Sequence, residues 1–380
     1  MQNNLEFIIP TSKEISIYIH WPFCTKKCPY CDFNSYTFDK IDHQLWIKSY
    51  FKAIENQSKF FANKRIKSIF FGGGTPSLMD PKNIEQLIDY FQNHNLQLKF
   101  PQIEEITLEA NPSTFEIAKF KAFKNAGINR ISIGIQSFFD DNLKFLGRNH
   151  NALEGIKALE ESRKIFNKMS FDLIVGLPNQ SFDNIKSEVN YALEFFQGHL
   201  SLYQLTIEEG TLFYKNKIQT IDETNEEKFY TYIVNTLYEK NIFQYEISNF
   251  AIENNQSIHN LNYWLGGEYV GIGPNASGRV FFNNQWISVR EYKNPAKWIQ
   301  HINNPIEEYQ ALSPKERFEE MIITALRVNK PLDIQLYKLL NPQKINKLLQ
   351  ENLVVKSGDS IITTHKGKMC LNYVITNLLT

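Results

Sequence analysis

The first 210 residues of this chain alternate between two hydrophobic patterns. Short apolar, β-branched runs recur at 15–20, 66–71, 105–109, 130–135, 169–175 and 202–207. Between most of them lie stretches with the 3.6-residue spacing of a helix, at 44–61, 83–92, 114–125, 152–165 and 182–196. Strand followed by helix, repeated, predicts an α/β fold with a parallel sheet and helices outside it. Six such units are too few for a closed eight-stranded barrel. The expectation is a partial (βα)6 TIM-like barrel over 1–210.

After Gly210 the pattern changes. A helical stretch at 223–240 is followed by shorter strand-like runs at 244–249, 268–273, 278–282 and 285–289, then helical stretches at 295–303 and 314–328. This predicts an α+β extension over 211–328. The remainder, 329–380, reads helix, helix, two short strands at 353–356 and 360–364, and helix, the order of a small winged-helix module.

Such modules often bind DNA, and charge bears on that. The 41 Lys and Arg balance 41 Asp and Glu, so bulk charge gives no hold on a polyanion, and no nucleic-acid partner is expected. At 42% hydrophobic and 22% charged residues the chain has a globular composition, not a disordered one. No apolar run approaches the roughly 18 residues that span a bilayer. Met1 to Glu14 lacks a basic segment followed by an apolar run. A cytoplasmic protein is expected.

The chain has four cysteines, and Cys24, Cys28 and Cys31 fall within eight residues. That clustering excludes a spread disulfide framework and points to a metal site in a reducing compartment. The motif runs Tyr18-Ile-His20-Trp-Pro-Phe-Cys24-Thr-Lys-Lys-Cys28-Pro-Tyr30-Cys31-Asp-Phe33, with spacing C-x3-C-x2-C. Three thiolates on one short loop can hold three irons of a [4Fe–4S] cluster and leave the fourth iron open to an exchangeable ligand. Cys370 lies far along the chain and reads as an incidental thiol. The competing reading is a Cys3His zinc site that uses His20. The loop follows the first predicted strand, where α/β barrels place their chemistry, and a closed structural zinc site has no reason to sit there.

Further polar residues fall at the ends of the following strands. The second ends in Gly72-Gly73-Gly74-Thr75-Pro76, whose consecutive glycines let backbone approach a ligand closely. The third ends in Glu109-Ala110-Asn111, the fourth in Gly134-Ile135-Gln136 with Arg148 beyond, and the fifth carries Asp172. One such carboxylate is usually a helix cap, but five polar strand ends in succession are hard to explain by capping.

On these motifs the chain resembles the radical S-adenosylmethionine (SAM) superfamily. The Tyr-x-His-x-Pro-Phe lead to the cysteines and the Gly-Gly-Gly-Thr-Pro turn resemble the branch that contains oxygen-independent coproporphyrinogen III oxidase and a haem chaperone. The resemblance covers almost the whole chain. It implies that Cys24, Cys28 and Cys31 ligate the cluster and that SAM binds the open iron, where one electron cleaves its sulfonium bond. It also implies that Tyr18, Gly73 and Glu109 contact this SAM. Tyr30, Gly74, Thr75, Gln136, Arg148 and Asp172 match positions that hold a second SAM in the oxidase.

Within the branch, three features resemble the chaperone side. The oxidase motif continues with a further cysteine two residues after the third, where this chain has Phe33. Only 23 residues precede Cys24, against a longer leading segment in the oxidase. The C-terminal half also carries chaperone-like runs: Tyr203-Gln-Leu-Thr-Ile-Glu208, Tyr245-Glu-Ile-Ser-Asn249 and His259-Asn260-Leu-Asn-Tyr263-Trp264. The resemblance therefore implies haem binding and haem transfer to acceptor proteins in place of oxidative decarboxylation, and it leaves room for a homodimer. Imidazole is the common axial ligand of haem, which makes His259 the candidate, with Tyr263 and Trp264 as flat neighbours. The alternative is a histidine that only hydrogen-bonds in a turn.

Overall fold

The structure, a computed structural model, describes residues 13–38 and 40–379. Residues 1–12, most of the segment read above as lacking a leader pattern, lie outside the described residues, as do Asp39 and Thr380.

The first eight strands are β1 Glu14–Trp21, β2 Phe23–Cys24, β3 Tyr36–Thr37, β4 Arg65–Gly73, β5 Glu105–Ala110, β6 Arg130–Gln136, β7 Lys168–Val175 and β8 His199–Gln204. Six of them lie side by side in the order β1-β4-β5-β6-β7-β8, every neighbouring pair parallel. Their residues are mostly buried, as expected where helices cover a parallel sheet. The main helices are His43–Gln57, Pro81–Gln97, Ala152–Ile165 and Phe182–Phe195. Each begins at a polar N-cap, Asp42, Asp80, Asn151 and Ser181, whose side chain accepts a first-turn N–H. This is the partial (βα)6 barrel that the alternating pattern predicts.

Two elements differ from expectation. The helix expected over 114–125 breaks into Thr114–Ile117 and Phe120–Asn125. The backbone tightens between them, where Lys119 N–H donates to Glu116 O at 2.9 Å, one residue short of helical spacing. The sixth strand begins three residues earlier than expected, at His199. His199 and Ser201 read as polar loop residues, yet both are buried, and His199 is bonded on both ring nitrogens, to Ser170 Oγ at 2.6 Å and Tyr245 Oη at 2.8 Å.

The extension continues the same sheet at both edges. Its strands are β9 Phe243–Gln244, β10 Asn249–Ala251, β11 Tyr269–Ile272, β12 Ser277–Phe282, β13 Gln285–Glu291 and β14 Ile306–Leu312. β11 adds parallel to β1, and β12 to β14 follow antiparallel; β10 and β9 add antiparallel beyond β8. The result is one twelve-stranded sheet in which both edges of the partial barrel are covered. The run expected as a strand at 244–249 instead turns, with Tyr245 N–H donating to Asn249 O at 3.0 Å. β14 is unanticipated because it is a largely exposed edge strand, with Glu307 and Glu308 facing Arg290 instead of an apolar alternation.

At the C-terminus, β15 Val354–Ser357 and β16 Ser360–Thr363 form an antiparallel hairpin flanked by helices Ile334–Leu339, Pro342–Gln350, His365–Met369 and Leu371–Leu379. The apolar cluster of this winged-helix-like unit, built around Leu336, Leu348, Val354, Ile361 and Val374, also takes in Ile322 and Leu326 at the end of helix Pro314–Ala325. No helix of the described residues is long and apolar enough to cross a membrane.

Candidate functional site

The cysteine loop is a folded object. β2 and β3 pair parallel across it, placing Phe23 opposite Tyr36 and Cys24 opposite Thr37. Cys31 N–H donates to Cys28 O at 3.1 Å, which turns the chain between the second and third thiols. Lys27 Nζ donates to Phe33 O and Ser35 O at 3.2 and 3.3 Å, and Asn34 Nδ2 donates to Pro274 O and Lys293 O on the extension. All three thiols are free and half-buried. Burial pushes the Cys24 and Cys31 thiols up, against hydrogen bonds that lower them. Loading a metal therefore releases protons here.

The glycine turn at the end of β4 packs directly under this loop. Gly73 has φ +113°, and a Cβ on Gly74 would lie 2.6 Å from Phe23 O. Only glycine allows the two backbones to meet so closely. Gly73 N–H donates to Glu109 Oε2 at 3.1 Å, so β4 and β5 present one joined surface.

Loop, turn and strand ends enclose a cavity of about 360 Å³, within the range of small-molecule sites. It gathers Cys24, Cys28, Cys31, Tyr30, Gly73, Gly74, Thr75, Glu109, Gln136, Arg148 and Asp172 from six segments of the chain. Arg148 ties the wall together. One guanidinium nitrogen donates to Cys28 Sγ and to Tyr30 Oη, both at 3.5 Å; the other donates to Asn111 Oδ1 at 2.7 Å and Gly134 O at 2.9 Å. Its Nε is buried without a partner. Gln136 reaches the cavity from a left-handed backbone, φ +69°, beside an irregularity in the pairing of β6 with β7. Strain of this kind re-aims a side chain off the regular pleat.

Two carboxyls sit opposite the thiols. Burial, with the Asp172 charge nearby, raises Glu109 to about 8 against the Gly73 N–H bond. Burial raises Asp172 to about 6 against hydrogen bonds from Ser201 and Ser132 and the Arg148 charge. At neutral pH the cavity therefore presents a protonated Glu109, a donor as well as an acceptor, beside an ionised Asp172. Asn111, Tyr203, Gln204 and Glu208 line the same cavity and were not assigned from the sequence. For Asn111 the signal was its place at a strand end; for Tyr203 to Glu208 it was the run quoted above.

Tyr18 lies beneath this chamber, half-buried, with its hydroxyl bonded to His20 Nδ1 at 2.9 Å. His20 Nε2 is 3.0 Å from Asn34 O. Both ring nitrogens of His20 are thus engaged by hydrogen bonds. Among the described residues no three His, Cys, Asp or Glu side chains converge on a single-ion site. Three thiolates that each bind a different iron need no such convergence. The donor set suits an iron–sulfur cluster: three free thiols on a braced loop, a glycine surface with no room for a Cβ, and an orphaned guanidinium nitrogen beside Cys28.

His259, the haem-ligand candidate, stands apart from this cavity. It is 1% exposed, in helix Ile258–Trp264, which packs under the N-terminal ends of the strands. Its Nδ1 is 2.9 Å from Ser68 Oγ and its Nε2 is 2.6 Å from Tyr263 Oη; the ring stacks on Phe70 at 5.1 Å. Burial lowers its pKa to about 3. No nitrogen is free for iron in this structure. Glu105 accepts N–H bonds from Ile258 and His259 and caps the same helix. Tyr263 is equally occupied, edge-on to Tyr269 at 4.4 Å.

Residues 18–192 match the family model of the radical SAM superfamily. The haem chaperone HemW of Buchnera aphidicola (subsp. Schizaphis graminum) is 36% identical over 95% of this chain and 97% of its own length. HemW of Haemophilus influenzae is 35% identical, with 98% of this chain and 100% of the relative covered. The mitochondrial radical S-adenosyl methionine domain-containing protein 1 of Danio rerio is 35% identical over 87% of this chain and 76% of its own. Coproporphyrinogen III oxidase (HemN) of Escherichia coli, solved as a radical SAM enzyme, superposes with a TM-score of 0.81 at 20% identity, covering 100% of this chain and 93% of that one. The chain belongs to the radical SAM superfamily, in its HemN/HemW branch, among the HemW relatives.

Proposed function

We propose that this protein is a haem chaperone built on a radical SAM fold. It carries a [4Fe–4S] cluster on Cys24, Cys28 and Cys31, binds SAM in the adjoining cavity, and delivers haem to acceptor proteins in the cytoplasm without oxidising coproporphyrinogen. The observation that carries the reading is the meeting of three free thiols with Glu109, Arg148 and Asp172 around one cavity. The side of the branch rests on Phe33 and on the full-length similarity to proteins named as HemW.

When bound, the cluster would supply one-electron chemistry at the SAM sulfonium, and the protein would supply orientation and shielding. Cys24, Cys28 and Cys31 would hold the cluster. Protonated Glu109 and the Gly73–Gly74 backbone would meet the amino-acid and ribose groups of SAM, together with Tyr18 from below. Arg148, held by Asn111 and Gly134, would fix the wall beside Cys28, with Tyr30, Thr75, Gln136 and Asp172 around the remaining volume.

The test is anaerobic reconstitution with iron and sulfide, followed by iron analysis, haem titration and a coproporphyrinogen assay with SAM and reductant. The expected outcome is a sulfide-dependent chromophore, a stoichiometric Soret band and no decarboxylation. Turnover of coproporphyrinogen would overturn the chaperone reading in favour of an oxidase. Zinc without a chromophore would overturn both.

A further inference from the structure

The loop that carries the three thiols is fastened to the extension through Asn34, just beyond Cys31. We propose that Asn34 and the buried Glu291 are positioning residues of the cluster site. The extension grips the end of the cysteine loop through Asn34, Glu291 holds the gripping backbone in place, and the grip sets how firmly the loop retains its cluster. This rests on the cluster of the proposed function and adds the residues that steady it.

Every polar atom of the Asn34 amide is in use. Its Nδ2 donates to Pro274 O at 3.1 Å and to Lys293 O at 3.0 Å, which lie 240 and 259 residues further along the chain. Its Oδ1 accepts from Tyr36 Oη at 3.1 Å, and its own carbonyl is 3.0 Å from His20 Nε2. A primary amide carries two N–H groups and one oxygen in a plane, so it can take two carbonyls on one side and a hydroxyl on the other. A carboxylate of the same shape only accepts. Close by, Tyr36 N–H donates to Pro22 O at 2.8 Å, which ties the two ends of the cysteine loop together.

The carbonyls that receive Asn34 come from two separate segments, and Glu291 joins those segments. Its Oε2 accepts from Gly273 N–H at 2.6 Å and from Trp298 Nε1 at 2.7 Å, and its Oε1 accepts from Gln57 Nε2 at 2.6 Å. Gly273 directly precedes Pro274, and Glu291 shortly precedes Lys293. Asn275 N–H, donating to Tyr292 O at 3.0 Å, closes the same pair of segments. Glu291 is fully buried, and its three partners are neutral N–H groups. A carboxyl buried among neutral groups is costly to keep, and apolar packing would join two strands at less cost. What the carboxyl adds is direction. Three donors converging on it fix the path of both segments, and with it the aim of Pro274 O and Lys293 O at the Asn34 amide.

Two measurements on the full-length protein test this. Hydrogen exchange of the metal-free form reads the grip by itself, and the rate at which a chelator strips iron from the reconstituted form reads the hold on the cluster. Asn34→Asp keeps the acceptor for Tyr36 and loses both donors. It should speed exchange of the Tyr36 amide about tenfold, and iron loss by a similar factor. Glu291→Ala should speed both by about threefold or more. Leu348→Ala, in the C-terminal apolar cluster, is the control: it should lower the melting temperature and leave both rates at wild-type values. Wild-type rates in Asn34→Asp would overturn the proposal, and wild-type rates in Glu291→Ala would overturn the part assigned to the carboxyl. Iron loss accelerated as much in Leu348→Ala as in the other two would reduce the effect to general stability and overturn it as well. If the wild-type protein takes up no cluster, the proposed function falls, and the exchange measurement still decides whether the grip exists.

Discussion

The two ends of the barrel use the same residue types for opposite purposes. Under the N-terminal ends of the strands, His259 bonds Ser68 and Tyr263, His199 bonds Ser170 and Tyr245, and Glu105 caps helix Ile258–Trp264. Those imidazoles are spent on their neighbours. At the C-terminal ends, Cys24, Cys28, Cys31, Glu109, Arg148 and Asp172 line one open volume, with Arg148 bonded to Cys28 at its wall. Buried polar groups that satisfy one another hold a fold together, whereas those that converge on a cavity wait for a ligand. A motif alone does not tell the two apart. The His-Asn-x-x-Tyr-Trp run and the C-x3-C-x2-C run both stand out in the sequence, and the second lines the cavity described above.

This contrast can be broken most sharply at the thiols. Cys24→Ala should abolish cluster iron after reconstitution and leave the melting temperature of the metal-free protein nearly unchanged. Full cluster iron in that variant would remove Cys24 from the ligand set. At the other end, His259→Ala should act on stability. It leaves the Tyr263 hydroxyl without its imidazole partner, Ser68 with only its bond to Ser16, and a cavity against Phe70, a loss of about 2–4 kcal/mol. Thermal melts should show it, with cluster iron per folded molecule unchanged. An unchanged melt with lost haem binding would reverse the roles assigned to the two ends.

Arg148→Met should weaken SAM binding by about tenfold or more, since a charged hydrogen-bonding group worth roughly 1.5–3 kcal/mol is removed. Calorimetric titration of the reconstituted protein would read it, and unaltered affinity would make Arg148 a purely structural brace.

The carboxyl pair makes the contrast pH-dependent. Glu109 and Asp172 have folded-state values of about 8 and 6, above their ordinary ones, so the native state holds more protons than the unfolded chain. Their contribution to stability is complete below about pH 4 and is lost as pH rises through 6 and then 8. Above about pH 7, where the buried His259 is neutral in folded and unfolded chain alike, the ligand-free protein should melt at lower temperature as pH rises to 9, and Glu109→Gln should flatten that slope. The smallest effect is expected at Cys370, exposed at the end of helix His365–Met369 and away from the cavity. Cys370→Ser should lie within about 0.5 kcal/mol of wild type and retain full cluster iron.

Much of the barrel and its rim was legible because both follow local rules. Alternating strand and helix periods gave the six units, and strand-end loops carry the chemistry of such barrels, so Gly73, Glu109, Gln136 and Asp172 could be placed on one rim before their contacts were known. What could not be read were positions whose burial depends on a distant partner. His199 looks like a loop residue until Tyr245 covers it, β14 has no apolar alternation because it is a largely exposed edge strand, and Asn111 becomes part of the wall through Arg148.

The sequence by itself determined the alternating units of the barrel, the clustering of three cysteines and the family, because these are written in spacings of a few residues. The tertiary structure decided which polar residues converge and which cancel. Ser68 and His259 are 191 residues apart in the chain and 2.9 Å apart in space, so nothing local to either could announce that the imidazole was already taken.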